Sequence, residues 1–440
     1  MKHWFKDHHF RLLLKNSSYL AVSQAVAAIA AIVAVAAAGR ALGLEMFGML
    51  VLINSYVQAA SGISKFQSWQ LVVRYGGKAL SAGQTEEFEA ATRFAFGLDL
   101  ASGIVGLVAA IALLPVVGHL FGIPVSLTGP AMLYCVLLPT MAAATPVGVL
   151  RSLHRFDLIA WQETVTPISR AVLAAAAWWA HARFGLFLAI WFASALLGDL
   201  YLWFIAWREL KRRGLQRGFR PTLRAGPLEG GWRFAVQVNL NATLQTAAGP
   251  IGRLIVGALL GPAAAALYRV ASSVTTAVQK PADLLLKSYY PQVVGMDFAS
   301  KQPWNLMLRA GGFAALIALC ATLLLVSAGQ PIIKLVFGQG FVGAYGPLLV
   351  LAVIPLIGMA TFPVAPMLYS LDRPEAPVRA RLVGTIAYLL AVVPITSAFG
   401  LIGAAAAFVL GTAVTAGMML ASLLREYRRV RSQRTPLAGQ

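Results

Sequence analysis

Two stretches of this sequence, VLRSLHRFD at Val149–Asp157 and MLYSLDRPE at Met367–Glu375, align residue by residue at an offset of 218. Three more pairs of matching segments occur in the same order along both copies: GRALGLEMFG from Gly39 with GALLGPAAAA from Gly257, PVVGHLFG from Pro115 with PIIKLVFG from Pro331, and FGL from Phe184 with FGL from Phe399. Each match lies at a boundary between apolar segments, and four matches in one order indicate an internal duplication. The sequence therefore predicts two copies of one unit.

The composition indicates a membrane protein. Hydrophobic residues make up 59% of the chain and charged residues only 12%, which is more apolar surface than a soluble core of this length could bury. Apolar runs of about 20 residues, long enough to cross a bilayer, begin near Ser17, Met46, Arg93, Leu127, Leu158, Gly185, Trp232, Ala263, Leu306, Tyr345, Leu382 and Gly403. Because the runs are continuously apolar, they predict helices rather than barrel strands. The predicted fold class is an all-α polytopic membrane protein with about twelve transmembrane helices, six in each copy.

Basic residues fall mostly on one side of the predicted spans. If the N-terminus is cytoplasmic, the inner side receives the basic N-terminal segment, the cluster from Arg208 to Arg233 and the tail from Arg425 to Arg434, and only Arg40, Arg183 and Lys334 fall outside. By the positive-inside rule, both termini are predicted to be cytoplasmic. The net charge of +20 then reflects topology and attraction to anionic lipid headgroups, so membrane lipids are expected partners and nucleic acid is not.

An even number of spans in each copy gives both copies the same orientation. Parallel repeats of this kind are related by an axis along the membrane normal, and in secondary transporters the substrate site lies between them near the midplane. The predicted division is an N-terminal six-helix bundle over 1–207, a basic cytoplasmic linker over 208–231, a C-terminal six-helix bundle over 232–424 and a basic cytoplasmic tail over 425–440.

Several segments carry a family resemblance that covers essentially the whole chain. They are GRALGLEMFG after the first span, VLRSLHRFDLIAWQE after the fourth, GALLGPAAAALYRVA at the seventh and eighth, PIIKLVFGQGFVGAYGPL after the ninth, and FGLIGAAAAFVL opening the twelfth. These segments resemble the O-antigen and exopolysaccharide repeat-unit flippases, the Wzx-like members of the multidrug/oligosaccharidyl-lipid/polysaccharide (MOP) exporter superfamily.

The resemblance implies two six-helix bundles that move an undecaprenyl-pyrophosphate-linked oligosaccharide across the bacterial inner membrane by alternating access, for the synthesis of lipopolysaccharide or exopolysaccharide. Its expected partners are the lipid-linked oligosaccharide and polysaccharide polymerase or export proteins. One position departs from the family. Members often carry an acidic residue before the basic or polar residue of the seventh helix, where this chain has Gly252 before Arg253. No role of that acid can therefore be carried over.

Polar residues form one strip on the second span and an equivalent strip, 218 residues later, on the eighth. The two strips consist of Asn54, Gln58, Ser61 and Lys65, and of Ser272, Thr276, Gln279 and Asp283. Their spacing places each set within about 60° of the helix circumference. A lipid-facing helix has no use for a polar face, so the strips are expected to line an aqueous cavity. The alternative is interhelical hydrogen bonding that only joins the helices of the bundle.

Cations and amides within the spans suit a diphosphate attached to a sugar. Gln237, Asn241 and Gln245 recur every four residues in the seventh span, before Gly249 and Pro250, which are expected to interrupt the helix ahead of Arg253. Arginine can hold two phosphate oxygens at once. Arg253, Arg269 and Arg170 are therefore candidates for binding the diphosphate. Alternatively, Arg170 and Arg269 reach toward headgroups or pair with an acid.

Four charged residues are candidates for coupling or gating. Asp99, Asp199 and Asp283 could each bind H⁺ or Na⁺, or could be hydrated partners of Arg93, Arg208 or Lys65. Lys65 and Asp283 occupy equivalent positions of the two polar strips. They are predicted to form an inner gate, with headgroup contact for Lys65 and hydration for Asp283 as the alternative.

Two other classes of function are weighed against the flippase. A cation-coupled multidrug or organic-cation antiporter of the same superfamily would need buried acids and aromatic residues at its centre, whereas the deepest charges here are Arg253 and Arg269. A membrane glycosyltransferase or polymerase would need catalytic residues on a sizeable loop, and the outer loops are short. The histidines and the two cysteines lack metal-ligand spacing, so no catalytic residue, metal or cofactor is predicted.

Overall fold

In a computed structural model, the protein is helical throughout its described elements. The structure describes the backbone of residues 8–141, 144–226, 228–293 and 296–432, and no strand occurs in these ranges. It also describes their side chains, except at 8–22, 237, 238, 240–247, 281–284, 287, 288, 290, 291, 431 and 432. The apolar runs become helices because, within a membrane, a helix satisfies its backbone hydrogen bonds internally.

The described residues of the first half form nine α-helices. They are α1 (His8–Ser64), α2 (Ser68–Leu71), α3 (Gly77–Ser81), α4 (Thr85–Leu120), α5 (Thr128–Cys135), α6 (Leu138–Met141), α7 (Thr145–Ser152), α8 (Phe156–Trp179) and α9 (Phe184–Arg212). The helix α1 bends at Gly43, where the backbone leaves helical geometry with φ 70° and ψ 179°, and so it covers the first two predicted spans. Three short helices, α5 to α7, together form the fourth.

The second half follows the same pattern. It contains α10 (Gly231–Leu260), α11 (Pro262–Val293), α12 (Gln302–Phe337), α13 (Tyr345–Leu351), α14 (Val353–Thr361), α15 (Val364–Ser370) and α16 (Glu375–Ser432). The helix α16 bends at Gly400 and covers the last two predicted spans. Over the described residues, six helical stretches are long and apolar enough to cross a membrane, or seven if the bent pair Val125–Cys135 and Leu138–Ser152 is one span. The fold-class prediction is confirmed.

The chain divides into two compact units, Met1–Ala266 and Leu267–Gln440. In the first unit, buried side chains of α4, α7, α9 and the start of α10 form a hydrophobic cluster that includes Phe88, Phe94, Leu150 and Leu210. In the second unit, α11, α15 and α16 contribute to a smaller cluster around Met367. The predicted boundaries at 207/208, 231/232 and 424/425 stay a prediction.

Backbone conformation repeats with the sequence. Left-handed φ angles recur at offsets of 216 to 219, at Gly43 and Gly261 (70° and 87°), Gly122 and Gly338 (77° and 102°), His154 and Asp372 (57° and 57°), and His181 and Gly400 (50° and 59°). For a residue with a Cβ, such a conformation costs about 1–2 kcal/mol. The pair His154 and Asp372 lies in the duplicated loop, so the turn itself has been kept after the two residues diverged.

The same duplicated loop carries the same ion pairs in both units. In the first unit, Arg155 contacts Asp157 (2.9 Å) and Glu209 (2.8 Å), and Arg212 contacts Glu209 (3.2 Å). In the second, the corresponding pairs are Arg373 with Glu375 (3.6 Å), Arg373 with Glu426 (2.9 Å), and Arg429 with Glu426 (3.9 Å). Each network ties a loop to the last turns of a long helix, α9 in the first unit and α16 in the second.

Candidate functional site

A buried cation of the first unit, Arg253, lies on α10. The helix runs unbroken from Gly231 to Leu260 with Pro250 inside it, so the predicted interruption at Gly249 and Pro250 is wrong. Proline removes one backbone donor, and neighbouring groups in a bundle commonly compensate for that loss. Arg253 is 8% exposed, one helical turn beyond Gly249.

Two side chains of α1 orient the Arg253 guanidinium. Its Nε donates a hydrogen bond to Ser55 Oγ (2.8 Å), and one terminal nitrogen donates to Gln58 Oε1 (2.8 Å). Gln58 belongs to the predicted polar strip. Ser55 was not predicted, although it lies three residues before Gln58 and therefore on a neighbouring face of the same helix. The strip thus faces the interior of the first unit.

A second polar contact extends the strip toward α5. Asn54 is 8% exposed, and its Oδ1 accepts a hydrogen bond from Tyr134 Oη (3.2 Å). Tyr134 is itself buried and meets the Phe192 ring edge to face at 6.1 Å between centroids. Tyr134 is not predictable from the sequence, because a lone tyrosine in an apolar run carries no periodic signal.

Arg170 on α8 is held by neutral groups of α9. Its Nε donates to Ser194 Oγ (2.9 Å), one terminal nitrogen donates to the Trp191 carbonyl (3.3 Å), and the guanidinium lies 5.1 Å from the centre of the Trp191 ring. The predicted alternative of contact with headgroups does not describe this geometry, because the side chain is part-buried against α9. The Tyr134 hydroxyl lies within electrostatic range of Arg170.

One carboxylate, Asp199, lies among these groups. Its Oδ2 accepts a hydrogen bond from Thr140 Oγ1 (3.1 Å), and it lies within electrostatic range of both Lys65 and Arg170. Over the described residues, neither of these cations forms a contact ion pair with a carboxylate. The first unit therefore places two cations around one acid without a contact ion pair, together with the buried Arg253.

A more deeply buried acid of the unit, Asp99, is held by three hydrogen bonds. It is 1% exposed, and its carboxylate accepts from Ser68 Oγ and from the backbone N–H groups of Ala144 and Thr145 (2.7 Å each). These two N–H groups open α7, where negative charge is stabilised by the helix terminus. The predicted alternative of a hydrated partner for Arg93 is wrong, since the carboxylate is excluded from water.

The remaining predicted residues lie elsewhere. Arg269 is half-buried in the second unit, and its backbone carbonyl accepts the hydroxyls of Ser272 (3.1 Å) and Ser273 (2.7 Å). Thr276 is exposed and donates to the Ser272 carbonyl (2.7 Å). Four predicted side chains lie outside the described residues, although their backbone is helical: Gln237, Asn241, Gln245 and Asp283.

The described part of the site brings cations and neutral polar groups together. Among the described residues, no three His, Cys, Asp or Glu side chains lie close enough to hold a metal ion. The Arg170 guanidinium is held by neutral oxygens, and Arg can form bidentate contacts with phosphate.

Comparisons with known proteins agree with this fold. A solved structure described as an inward-facing multidrug resistance MATE family transporter of the MOP superfamily is similar with a TM-score of 0.71 and 14% identity, covering 94% of this chain and 96% of that one. The lipid II flippase MurJ in an inward closed conformation is similar with a TM-score of 0.69 and 10% identity, covering 95% and 90%. A point mutant of the Vibrio cholerae MATE transporter VcmN has a TM-score of 0.64 at 13% identity, covering 95% and 98%.

The class is therefore a membrane protein with the MOP transporter fold. The model of the family described as "Polysaccharide biosynthesis protein" matches residues 13–294. The inner membrane protein YghQ of Escherichia coli strain K12 is 39% identical over 347 residues, which cover 78% of this chain and 98% of that protein. The chain belongs to the polysaccharide biosynthesis protein family, as the sequence motifs predicted.

Proposed function

We propose that this protein is a flippase that moves an undecaprenyl-pyrophosphate-linked oligosaccharide repeat unit across the bacterial inner membrane. The family and the fold support a transport role in general terms. The observation that carries the finer proposal is the positive charge inside the first unit: Arg170 and Lys65 have no contact ion pair among the described residues, and Arg253 is buried against Ser55 and Gln58.

A diphosphate is the chemistry that such a site favours. Its negative charges would offset the cost of keeping cations away from water, a cost that is large in a low-dielectric interior. Arg170 and Arg253 are each already positioned by two hydrogen bonds, so little side-chain entropy is lost when the ligand binds. Arg269 remains a candidate for the same ligand from the second unit.

The sugar part would find amide, hydroxyl and aromatic groups along the same interior. Asn54 and Gln58 present side-chain amides, the Tyr134 hydroxyl contacts Asn54, and the Trp191 ring lies beside Arg170. In the proposal, five further side chains extend these polar contacts to sugar hydroxyls: Gln237, Asn241, Gln245, Ser272 and Thr276. The groups would orient a carbohydrate without fixing which sugars it contains.

The antiporter alternative has weaker support from the site. An organic cation needs a carboxylate that can face it, but Asp99 is already bound by three donors, and Asp199 has two cations, Lys65 and Arg170, within electrostatic range that would repel a second positive charge. Asp199 is the better candidate for a coupling H⁺ or Na⁺, because its second oxygen is not engaged by a described hydrogen bond. The inner gate between Lys65 and Asp283 stays a proposal that a charge swap would test.

The cellular setting follows from the same proposal. YghQ is described as an inner membrane protein, and we place this chain in the same membrane, with both termini cytoplasmic and with polysaccharide polymerase or export proteins as partners. The orientation would be tested with cysteines at Gly43, Gly122, Gly185 and Gly340, which should react with an impermeant thiol reagent from outside. Cysteines at Ser152, Gly218 and Ser370 should not react.

The function is tested by deleting the gene in its own host and measuring lipid-linked oligosaccharides. We expect undecaprenyl-pyrophosphate-linked repeat units to accumulate and surface polysaccharide to fall, and we expect the wild-type gene to restore both. The Arg253→Ala, Arg269→Ala double mutant should insert normally without restoring export. Unchanged polysaccharide in the deletion strain, together with sensitivity to organic cations, would instead favour the antiporter.

A further inference from the structure

An open groove lies at the end of the second unit where α12 begins and α16 ends. It has a volume of about 520 Å³, in the range of sites that bind small molecules or lipid chains. Its apolar wall includes Met307, Leu308, Leu420, Leu423 and Leu424. We refer to it as the α12–α16 groove.

The mouth of the groove is aromatic and polar. The Trp304 and Tyr427 rings meet edge to face at 4.6 Å between centroids, and the Trp304 indole nitrogen donates to the Phe298 carbonyl (3.1 Å). Trp304 lies just before the apolar run that begins near Leu306. Tryptophan and tyrosine concentrate at the level of lipid headgroups, so the mouth lies at a membrane interface.

The corresponding region of the first unit is covered by the protein itself. The chain that follows α9 folds back between α4 and α9, and Phe219 packs against Phe96 (5.7 Å) and Trp203 (5.5 Å). The Thr222 N–H also donates to the Arg93 carbonyl (3.1 Å). The described part of the second unit has no such covering segment. At the offset of 217 that separates Glu209 from Glu426, the counterpart of Trp203 is Leu420, which lines the groove.

The charged residue among those described as lining the groove is basic. Lys301 lines the groove, is exposed, and forms no ion pair with a described residue. Of the acids on the neighbouring segments, Glu426 forms an ion pair with Arg373 (2.9 Å), and Asp297 accepts the backbone N–H of Ala299 (2.9 Å).

We propose that the α12–α16 groove binds an anionic phospholipid, with its phosphate at Lys301 and one acyl chain along Met307, Leu308, Leu420 and Leu424. Basic residues at a membrane surface attract anionic headgroups, and the apolar wall supplies a surface for the chain. A zwitterionic lipid would contact the same apolar wall, but its headgroup would be attracted less strongly to Lys301. The bound lipid would do for the second unit what the chain after α9 does for the first, by covering its apolar groove. The proposal is independent of the transported substrate.

The test uses the purified full-length protein in nanodiscs that contain a lipid brominated on its acyl chains, either phosphatidylglycerol or phosphatidylcholine. Bromine quenches nearby tryptophan fluorescence, and the part of the quenching that Trp304→Phe removes reports on the groove. We expect this Trp304-dependent quenching to show a preference of about fivefold for phosphatidylglycerol. This is the ratio of affinities that the attraction of one basic residue to an anionic headgroup gives. Lys301→Ala should abolish the preference.

Lys334→Ala is the matched control, because Lys334 is an exposed lysine at the other end of the same helix. It should leave the preference intact. Equal Trp304-dependent quenching by the two lipids, or an equal effect of the two lysine variants, would contradict the proposal. Quenching that appears only after residues 433–440 are removed would show that the chain's own tail covers the groove, and this result would also contradict it.

Discussion

The two units use the same turns at their helix ends and different chemistry in their interiors. The left-handed turn at His154 recurs at Asp372, and the ion pairs of Arg155 recur at Arg373. Inside the units, by contrast, Arg170 corresponds to Tyr388 and Lys65 to Asp283 at the same offset of 218. Turns and end contacts have therefore been kept after duplication, while interior positions have been free to diverge.

This difference separates the residues that build the fold from the residues that select the ligand. The left-handed turns and the helix-end ion pairs have the same geometry in both units, so the same types of contact occur in each. Arg170, Lys65 and Arg253 are not repeated as cations at the offset of 218, and the cost of an interior cation must be offset by a partner or a ligand. The unrepeated charges of the first unit are thus the best candidates for ligand contact.

The largest expected effect comes from removing an unrepeated cation. Arg170→Ala and Arg253→Ala should each weaken substrate binding by about 1.5–3 kcal/mol, or roughly 10- to 150-fold, because a charge-assisted contact is lost. Lys at Arg253 should restore only part of the affinity, because it cannot form the bidentate contact. Binding is measured with purified protein and a diphosphate-linked oligosaccharide. Arg183→Ala, at an exposed residue before α9, should have no effect.

The repeated ion pairs should differ in strength because their burial differs. The Glu209 side chain is 6% exposed and the Glu426 side chain 19%. We expect Glu209→Gln to lower the free energy of unfolding by about 2–3 kcal/mol, because Arg155 would lose a buried partner. Glu426→Gln should cost about 1 kcal/mol. Thermal unfolding in detergent measures both, and a larger loss for Glu426→Gln would overturn this ranking.

The kinks at Gly43 and Gly261 should respond alike to a side chain. Both adopt a left-handed φ, 70° and 87°, with ψ at 179° and 173°, a region used almost only by glycine. At neither position would an added Cβ meet another atom within 4 Å. Alanine at either should therefore cost about 1–3 kcal/mol through backbone strain alone. Gly312→Ala, in open space on the helical α12, should be neutral or slightly stabilising in the same thermal unfolding measurement. Unequal responses of Gly43 and Gly261 would show that the two kinks are not equivalent.

The smallest expected effect is a pH dependence at Asp157. Two hydrogen bonds from Arg155 hold the pKa of the Asp157 carboxyl below its usual range. A lowered pKa in the folded state stabilises the protein at neutral pH, and this stabilisation is lost as the pH falls through the lowered pKa. Asp157→Asn should therefore cost under about 1 kcal/mol at pH 7 and nothing at low pH, as thermal unfolding at the two pH values would measure. Glu375→Gln, which loses a single 3.6 Å contact, should cost less.

Much of the fold was predictable because it depends on local signals. Continuous apolar runs gave the spans, and the paired motifs around Leu153 and Leu371 gave the duplication that the turns and ion pairs confirm. The break at Pro250 was predicted wrongly, because a proline inside a bundled helix can be accommodated by its surroundings.

The site was predictable only where periodicity carried it. The strip containing Asn54 and Gln58 followed from helical spacing. The contacts of Tyr134 with Asn54 and of Ser68 with Asp99 join residues 80 and 31 positions apart, so they depend on how helices pack. Only the three-dimensional arrangement shows that Asp99 is occupied by the start of α7 and that Asp199 is not.

The most direct test of the proposed transport is reconstitution in proteoliposomes. Wild-type protein and Arg253→Ala would be supplied with a fluorescent undecaprenyl-pyrophosphate-linked oligosaccharide in both leaflets, and a membrane-impermeant reductant would bleach the outer leaflet. We predict that wild-type protein exposes the inner-leaflet pool to the reductant and that Arg253→Ala, inserted to the same level, leaves it protected as in protein-free vesicles. Protection by wild-type protein, or equal exposure by both proteins, would contradict an arginine-dependent flippase.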